Sequence, residues 1–225
     1  MPKPELTTSI IEWIEENRSL IDSLKLDQVY KSGDYRSRPF LTYSLLKIGI
    51  NPLKALTKMP INFARNLDIT GIEIPRHITE IAESAFYGCS RLTGISLHNG
   101  ITSIGHTSFK SCESLTNLII PDNVVFVGSS SFSFCSHLVS VDTGKGQMPI
   151  EDGAFSSCNM LTKVVIGGGV THIGTGIFYN CPELKEIIYS GTIEQWKNID
   201  KSDSWNIWSS IKKVICTDGE IDLEQ

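Results

Sequence analysis

Hydrophobic residues recur along most of this chain at a fixed interval of 23 residues. The clearest positions are a phenylalanine, a cysteine three residues later and a leucine three residues after that. The phenylalanines and cysteines are Phe86, Phe109, Phe132, Phe155 and Phe178, and Cys89, Cys112, Cys135, Cys158 and Cys181. Five units keep one register without an insertion. The pattern therefore predicts repeated structural units that stack on one another to bury their apolar sides.

Each unit contains one segment with strand-like alternation, as in Ile95 and Leu97 of LTGISLHNG. Alternation with a period of two residues predicts a short, half-buried strand. The preceding stretch, with Ile78, Ile81 and Phe86 in the first unit, does not alternate and predicts a tight return without strand structure. Turn-forming residues such as HNG at 98–100 close the units. The fold class predicted is an α+β solenoid with short parallel strands.

The N-terminal residues have helical patterns instead. Ser9 and Glu12 form an S-x-x-E capping box, and the apolar residues after Ser9 at helical spacing are Ile10, Trp13, Ile14, Ile21 and Leu24. Pro39 predicts the first turn of a second helix, and Asn51 predicts the cap of a short third turn. We predict that residues 1–65 form a helical N-terminal cap that covers the edge of the first strand.

The C-terminal residues 191–225 break the 23-residue register, because Lys201 stands where a sixth phenylalanine would be. We predict a Trp-rich C-terminal cap, in which Trp196, Trp205 and Trp208 seal the last unit and KKVICTDG adds a closing strand. The predicted division is therefore a helical cap over 1–65, repeats over 66–190 and a C-terminal cap over 191–225.

The segment SIGHTSFKSCESLTNLIIPDNV at 103–124 resembles the repeat of BspA-like leucine-rich repeat proteins, SIGxxAFxxCxxLxxIxIPxxV. The resemblance extends over about residues 67–190. It implies a right-handed leucine-rich repeat coil with a parallel sheet on one face. It also implies use as a protein-binding surface, often in secreted or cell-surface adhesins.

Stacking in register would place the five repeat cysteines in a row, about 4.8 Å apart. A zinc site needs four ligands around one point, which a straight row does not provide, and parallel side chains disfavour the torsion of a disulfide. Residues 1–19 lack the pattern of a secretory signal peptide. We therefore predict a cytoplasmic protein, or one in the host cell cytoplasm if phage-encoded, with buried, reduced thiols and no cofactor.

Charge and motifs narrow the function. Residues 1–65 hold ten Lys and Arg against seven Asp and Glu, whereas residues 66–225 hold ten against eighteen. An acidic repeat region disfavours nucleic acid as a partner, and the absence of a long apolar run disfavours membrane insertion. The chain has no G-x-S-x-G or H-E-x-x-H motif, and its five histidines occupy different repeat positions. We predict that it is not an enzyme.

Alternation also predicts which strand residues point outward. One outward row is Glu73, Ser96, Ile119, Asp142, Val165 and Ile188, and a neighbouring row is Gly71, Gly94, Asn117, Ser140, Lys163 and Glu186. The candidate protein-binding residues on these rows are Ile119, Asp142, Lys163, Val165 and Ile188. Apolar residues at outward positions indicate a contact surface, although simple β-propensity would also explain them.

The third repeat differs from the others. Thr143 and Gln147 replace aliphatic residues, which predicts an irregular loop over DTGKGQMP. Phe126, Phe134 and Met148 lie nearby at positions where other units have small or polar residues, and they are candidates for an interface hot spot. The alternative is sequence drift tolerated by a robust repeat.

The sequence therefore predicts a non-catalytic, protein-binding module, of a bacterial or phage type, that acts inside a cell as a binder or inhibitor of another protein. A secreted or cell-surface adhesin of the BspA-like type is the alternative. A structural or self-associating module, joined as a homo-oligomer through the strand face, is a further alternative.

Overall fold

The computed structural model describes residues 38–47, 49–54, 56 and 58–223. The helix predicted after Ser9 lies outside these residues. The predicted second helix is present as α1, Arg38–Lys47, and Gly49 follows it with a φ of +79°. The predicted short turn is a 3-10 helix, Pro52–Lys54, and the side chain of Asn51 accepts a hydrogen bond from the backbone N–H of Leu53 at 3.1 Å.

Two six-stranded sheets make up the solenoid. The short-strand sheet is parallel throughout and contains, in spatial order, β1 (Glu80–Ile81), β2 (Ser103–Ile104), β4 (Phe126–Val127), β6 (Pro149–Ile150), β8 (His172–Ile173) and β10 (Asp200–Lys201). The long-strand sheet contains β3 (Asn117–Ile119), β5 (Ser140–Asp142), β7 (Lys163–Ile166), β9 (Glu186–Tyr189), β11 (Lys213–Cys216) and β12 (Gly219–Asp222). Its strands are parallel except β12, which pairs antiparallel to β11. One coil comprises a short strand, a turn with the phenylalanine, and a long strand.

Residues that pair on adjacent strands are separated by one 23-residue repeat of the sequence. Val141 of β5 pairs with Val164 of β7, 23 residues later, and Ile81 of β1 pairs with Ile104 of β2 at the same interval. The predicted solenoid is therefore confirmed. The prediction of a non-strand return was wrong, because the stretch before each phenylalanine contains the two-residue strands of the short-strand sheet. A strand of two residues is too short to show alternation in the sequence.

The core between the sheets is continuous. The buried residues of both sheets belong to one hydrophobic cluster, and the five repeat phenylalanines are fully buried within it. Their rings stack with centroid distances of 5.2, 5.1, 5.6 and 5.9 Å from Phe86 to Phe178. Each ring is therefore shielded from water by the neighbouring coils, and the coils stabilise one another.

The repeat cysteines form the predicted row. All are unpaired and buried, and each thiol donates a hydrogen bond to a backbone carbonyl of the preceding coil at 3.0–3.4 Å. Burial raises the pKa of Cys89 and of Cys135 to about 12. In the next pair, burial raises the pKa of Cys158, and a hydrogen bond with that thiol lowers the pKa of Cys181. The thiols thus pack as small apolar groups that also link the coils.

The sixth coil has five additional residues. Asp200 pairs with His172, 28 residues earlier instead of 23. The extra length forms α2, Ile193–Asn198, which begins at a capping box of Thr192 and Gln195. Register pairing places Lys201 opposite Ile173, not in the phenylalanine position that the sequence indicated.

Lys201 stabilises the end of α2. Its ammonium group donates hydrogen bonds to the carbonyl oxygens of Trp196 at 2.5 Å and Ile199 at 2.8 Å. It also lies 5.2 Å from the centre of the Trp196 ring. A cation at the carbonyl end of a helix interacts favourably with the helix dipole, and here it adds a donor to the Trp196 carbonyl, which also accepts from the backbone N–H of Ile199 at 3.3 Å.

The three C-terminal tryptophans have different environments. Trp196 and Trp205 are buried, with their rings edge to face at 5.6 Å. Trp208 is 77% exposed. The prediction that Trp208 seals the last unit was therefore wrong.

Candidate protein-binding surface

We call the outward side of the long-strand sheet the strand face. The residues predicted to point outward from the long strands do so. Leu118, Val141 and Val164 point inward and are buried, whereas their neighbours along each strand are exposed or half-buried. This pattern continues in β9 and β11. The inward residues alone fill the core, so the fold does not require apolar residues on the strand face.

One row of the strand face is nevertheless mostly apolar. Ile119 is 73% exposed and Ile188 is 39% exposed. Asp142 pairs with Val165, and Val165 pairs with Ile188, so these candidates lie side by side on adjacent strands. The candidates Ile119, Asp142, Val165 and Ile188 thus lie in the single row that the sequence predicted.

The row contains a further residue that the sequence reasoning missed. Ile215 of β11 pairs with Ile188 and is half-buried, which extends the apolar part of the row to three adjacent strands. The alternation in KKVIC carried the necessary information. It was missed because the insertion of α2 separates β11 from the 23-residue register.

The neighbouring row is charged and polar. Lys163 is exposed and has no ion-pair partner among the described residues. Lys213 lies 3.6 Å from Glu186 and 3.1 Å from Glu220, and the hydrogen bond with Glu220 raises the pKa of Lys213. The strand face therefore combines an apolar row with a row of alternating charge at Lys163, Glu186 and Lys213.

Asp142 also has a structural role. Its Oδ1 atom accepts a hydrogen bond from the backbone N–H of Gly144 at 2.9 Å, which holds the start of the corner between the two sheets. Next to it, Thr143 is buried, and its hydroxyl oxygen accepts a hydrogen bond from the N–H of Gly167 at 2.9 Å. The predicted irregular loop after β5 is present, but it is packed against the next coil rather than loosened.

Met148 is not a surface residue. Gln147, which occupies an aliphatic position of the repeat, is exposed, and the side chain of Met148 is fully buried in the core instead. A flexible thioether side chain readily fills an irregular space that a polar residue leaves open. The inclusion of Met148 in a surface hot spot was therefore wrong.

Phe126 and Phe134 do not form a cluster with Met148. Phe126 lies in β4 of the short-strand sheet, where it is half-buried and its ring meets that of His106 edge to face at 5.5 Å. Phe134 lies in the turn between the sheets, is 49% exposed and has a φ of +60°, with the ammonium group of Lys110 5.3 Å from its ring centre. The three residues predicted as one hot spot are thus on separate elements.

No metal site or membrane span is evident in the described residues. They contain no group of three or more His, Cys, Asp or Glu side chains placed to hold a metal ion. None of the helices in this part of the chain is long and apolar enough to cross a bilayer.

Solved structures of bacterial leucine-rich repeat proteins are similar to this chain. A leucine rich cell surface protein from Faecalibacterium prausnitzii is 30% identical, with a TM-score of 0.56 over 60% of this chain and 35% of its own. A leucine-rich repeat protein of T. pallidum is 28% identical, with a TM-score of 0.54 over 59% of this chain and 63% of its own. A leucine-rich repeat protein from Eubacterium ventriosum, 21% identical with a TM-score of 0.54 over 69% of this chain and 46% of its own, has the same fold.

This chain spans less than two thirds of the length of each of these structures. No curated protein matches it. Six copies of the BspA type leucine rich repeat region match residues 60–185, which is more than half of the chain. The chain therefore belongs to the BspA-type leucine-rich repeat family.

Proposed function

We propose that this protein is a non-catalytic module that recognises another protein through the strand face. The observation that carries the proposal is the apolar row in which Ile119 and Ile188 are exposed and Val165 and Ile215 are half-buried, on a sheet whose core is already filled from the other side. Leucine-rich repeat proteins of this type are generally protein-binding or surface-associated.

The strand face has the properties of an interface core with a polar border. Apolar side chains lie along the middle of the sheet, and Lys163 and Glu186 flank them on the same strands. Apolar contact supplies affinity, and charges beside it set the orientation of the partner. Strands β5, β7, β9 and β11 each pair with a strand on both sides, so little order would have to be gained on binding.

Binding through the strand face is tested with a double variant, Ile119→Asp with Ile188→Asp. Because both side chains are exposed, we expect a change of about 1 kcal/mol or less per site in the free energy of unfolding. Tagged wild-type protein and the variant are used to capture partners from the native source. We expect the wild-type partners to be lost with the variant.

Val125→Asp is the matched control, because Val125 is 58% exposed but precedes β4 of the short-strand sheet. It should keep the partners that the wild type captures. Equal capture by wild type and the double variant would show that the strand face is not the binding surface.

The proposal extends to the two ends of the coil. Residues 1–65 are proposed to cover the first coil and residues 191–225 the last, which would shield the apolar ends of the stack from solvent. Burial of Trp196 and Trp205 and the antiparallel pairing of β12 support this role for the C-terminal segment.

Different observations support two cellular locations for this protein. The free, buried thiols support an intracellular bacterial or phage-type binder or inhibitor. The similarity to a cell surface protein of F. prausnitzii supports an adhesin. Protease treatment of intact cells of the native source, followed by detection of the protein, separates the two: loss of the protein indicates the adhesin, and protection indicates the intracellular binder.

A further inference from the structure

We propose that the strand face also binds a second copy of this chain, forming a weak symmetric dimer. This inference rests on the proposed function, since it uses the same surface. Because the partner is a second copy, its contact surface is the strand face itself.

The charges of the strand face are self-complementary. Lys163 in β7 and Glu186 in β9 occupy the same row on adjacent strands, with opposite sign. Beside them in the apolar row are Val165 and Ile188, which pair directly. A surface whose two central strands carry opposite charge and matching apolar groups can meet its own copy without placing like charges together.

A twofold axis parallel to the strands, between β7 and β9, matches both rows at these two central strands, while at the border of the contact it places Asp142 of each copy over Ile215 of the other copy. Rotation about it places β7 of one copy opposite β9 of its partner, and each row opposite its equivalent. Lys163 then faces Glu186 of the other copy, and Glu186 faces Lys163, so one symmetric contact produces two ion pairs. Val165 faces Ile188 in the same way.

The other twofold arrangement is unfavourable. An axis parallel to the length of the coil would place the charged row of one copy over the apolar row of its partner. Lys163 would then lose water against Val165 without gaining an opposite charge, which costs free energy. Glu186 and Lys213 would likewise lie over Ile188 and Ile215, whereas the axis parallel to the strands places only Asp142, among the charged residues of β5, β7, β9 and β11, over an apolar residue. The distribution of the two rows therefore favours the axis parallel to the strands.

The size of the strand face sets the strength of the dimer. The four parallel strands that the axis brings together, β5, β7, β9 and β11, at about 4.8 Å spacing with about three residues each, give a footprint of about 19 by 10 Å. This is well below the ~800 Å² per partner of a stable interface, so we expect a concentration-dependent dimer that dissociates at low micromolar concentration. Its apparent mass should rise from the chain mass of 24.9 kDa toward twice that value.

The test uses two single charge reversals, Lys163→Glu and Glu186→Lys, with the full chain. Sedimentation equilibrium is measured from about 10 µM to about 1 mM. Each variant alone puts like charges at both symmetric contacts, so its dimer dissociation constant should increase at least tenfold. An equimolar mixture of the two variants should restore dimerisation, because the heterodimer regains both ion pairs.

Lys145→Glu and Glu183→Lys are controls with the same change in net charge at exposed positions outside the strand face. They should dimerise like the wild type, and urea unfolding checks that all variants are folded. A monomeric wild type up to about 1 mM, or a mixture that stays monomeric while the wild type dimerises, would overturn the proposal. A monomer that still loses its protein partners through Ile119→Asp with Ile188→Asp would leave the proposed function intact.

Discussion

Two serine hydroxyl groups in the middle of the solenoid, those of Ser108 and Ser131, are buried and have no hydrogen-bond partner among the described residues. Their position in the repeat is held by Ala85 and Ala154 in neighbouring coils. A buried hydroxyl group without a partner costs about 1–3 kcal/mol relative to its hydration in the unfolded chain. The repeat thus tolerates a polar atom where its geometry requires only a small side chain.

Ser131→Ala should therefore raise the free energy of unfolding by about 1 kcal/mol. Ser133→Ala is the matched control, since Ser133 is also buried but its hydroxyl donates to the carbonyl of Ser130 at 3.1 Å. That variant should lower the stability by about 1 kcal/mol. Urea unfolding of the three proteins measures both effects, and a destabilised Ser131→Ala would contradict the prediction.

The buried thiols make stability depend on pH in the alkaline range. The pKa values of Cys89 and Cys135 are raised by burial to about 12, from an ordinary value of 9.0. Between pH 9 and 12 the folded chain keeps these protons while the unfolded chain releases them. The unfolded state then binds fewer protons, so the free energy of unfolding falls as the pH rises above 9.

Urea midpoints measured from pH 8 to pH 10.5 test this expectation. We expect the midpoint to fall over this range by more in the wild type than in Cys89→Ala with Cys135→Ala, because the variant has lost two of the groups responsible. Equal pH dependence in both proteins would show that other groups, such as lysine and tyrosine, cause the decline.

At the scale of elements, the corner between the two sheets depends on close backbone contact. A Cβ atom on Gly167 would lie 1.7 Å from the carbonyl oxygen of Gly144 in the preceding coil. The next residue, Gly168, has more space, since its Cβ atom would be 3.6 Å from the nearest neighbouring atom, the carbonyl oxygen of Ser190. Two adjacent glycines in one turn thus face very different constraints.

Gly167→Ala should destabilise the protein by about 2–4 kcal/mol, because two backbone segments would have to separate and the hydrogen bond to Thr143 would be lost. Gly168→Ala should change the stability by about 0.5 kcal/mol or less. Thermal unfolding of the pair gives the comparison. Similar melting temperatures for the two variants would mean that the corner can relax.

The long strands could be predicted from the sequence, whereas the short strands could not. In NLI and KVVI the buried residue alternates with exposed ones, so the strand and its facing were evident before the structure. The short-strand sheet was missed because a pair such as Glu80 and Ile81 forms a strand only through its neighbours in adjacent coils. Its existence depends on stacking and not on any local pattern.

The errors about the surface have a similar origin. The outward row was predicted as far as Ile188, but Ile215 was lost once α2 displaced the register. Met148 was assigned to the surface because a repeat alignment assumes that equivalent positions point the same way. Gln147 is exposed to solvent, and the side chain of Met148 fills the core in its place. Residue spacing alone does not reveal this local exchange.

At the scale of the whole molecule, the stacked phenylalanines make each coil dependent on its neighbours. Phe132 stacks on Phe109 at 5.1 Å and on Phe155 at 5.6 Å. Phe178 stacks on Phe155 alone among the described residues, because the sixth coil has no phenylalanine in that position. In a repeat protein the energy is shared among nearest-neighbour interfaces, so a central ring contributes to two interfaces and a terminal ring to one.

Phe132→Ala should therefore lower the free energy of unfolding by about 3–5 kcal/mol. Phe178→Ala should cost about 0.5–1.5 kcal/mol less, which is the value of one aromatic contact beyond burial. Both side chains are fully buried, so the difference reports the number of stacked neighbours and not the area lost. Urea unfolding followed by circular dichroism measures the two values. If Phe178→Ala were the more damaging variant, the stability of the solenoid would depend mainly on its C-terminal end, and the coils could not be treated as equivalent units joined by similar interfaces.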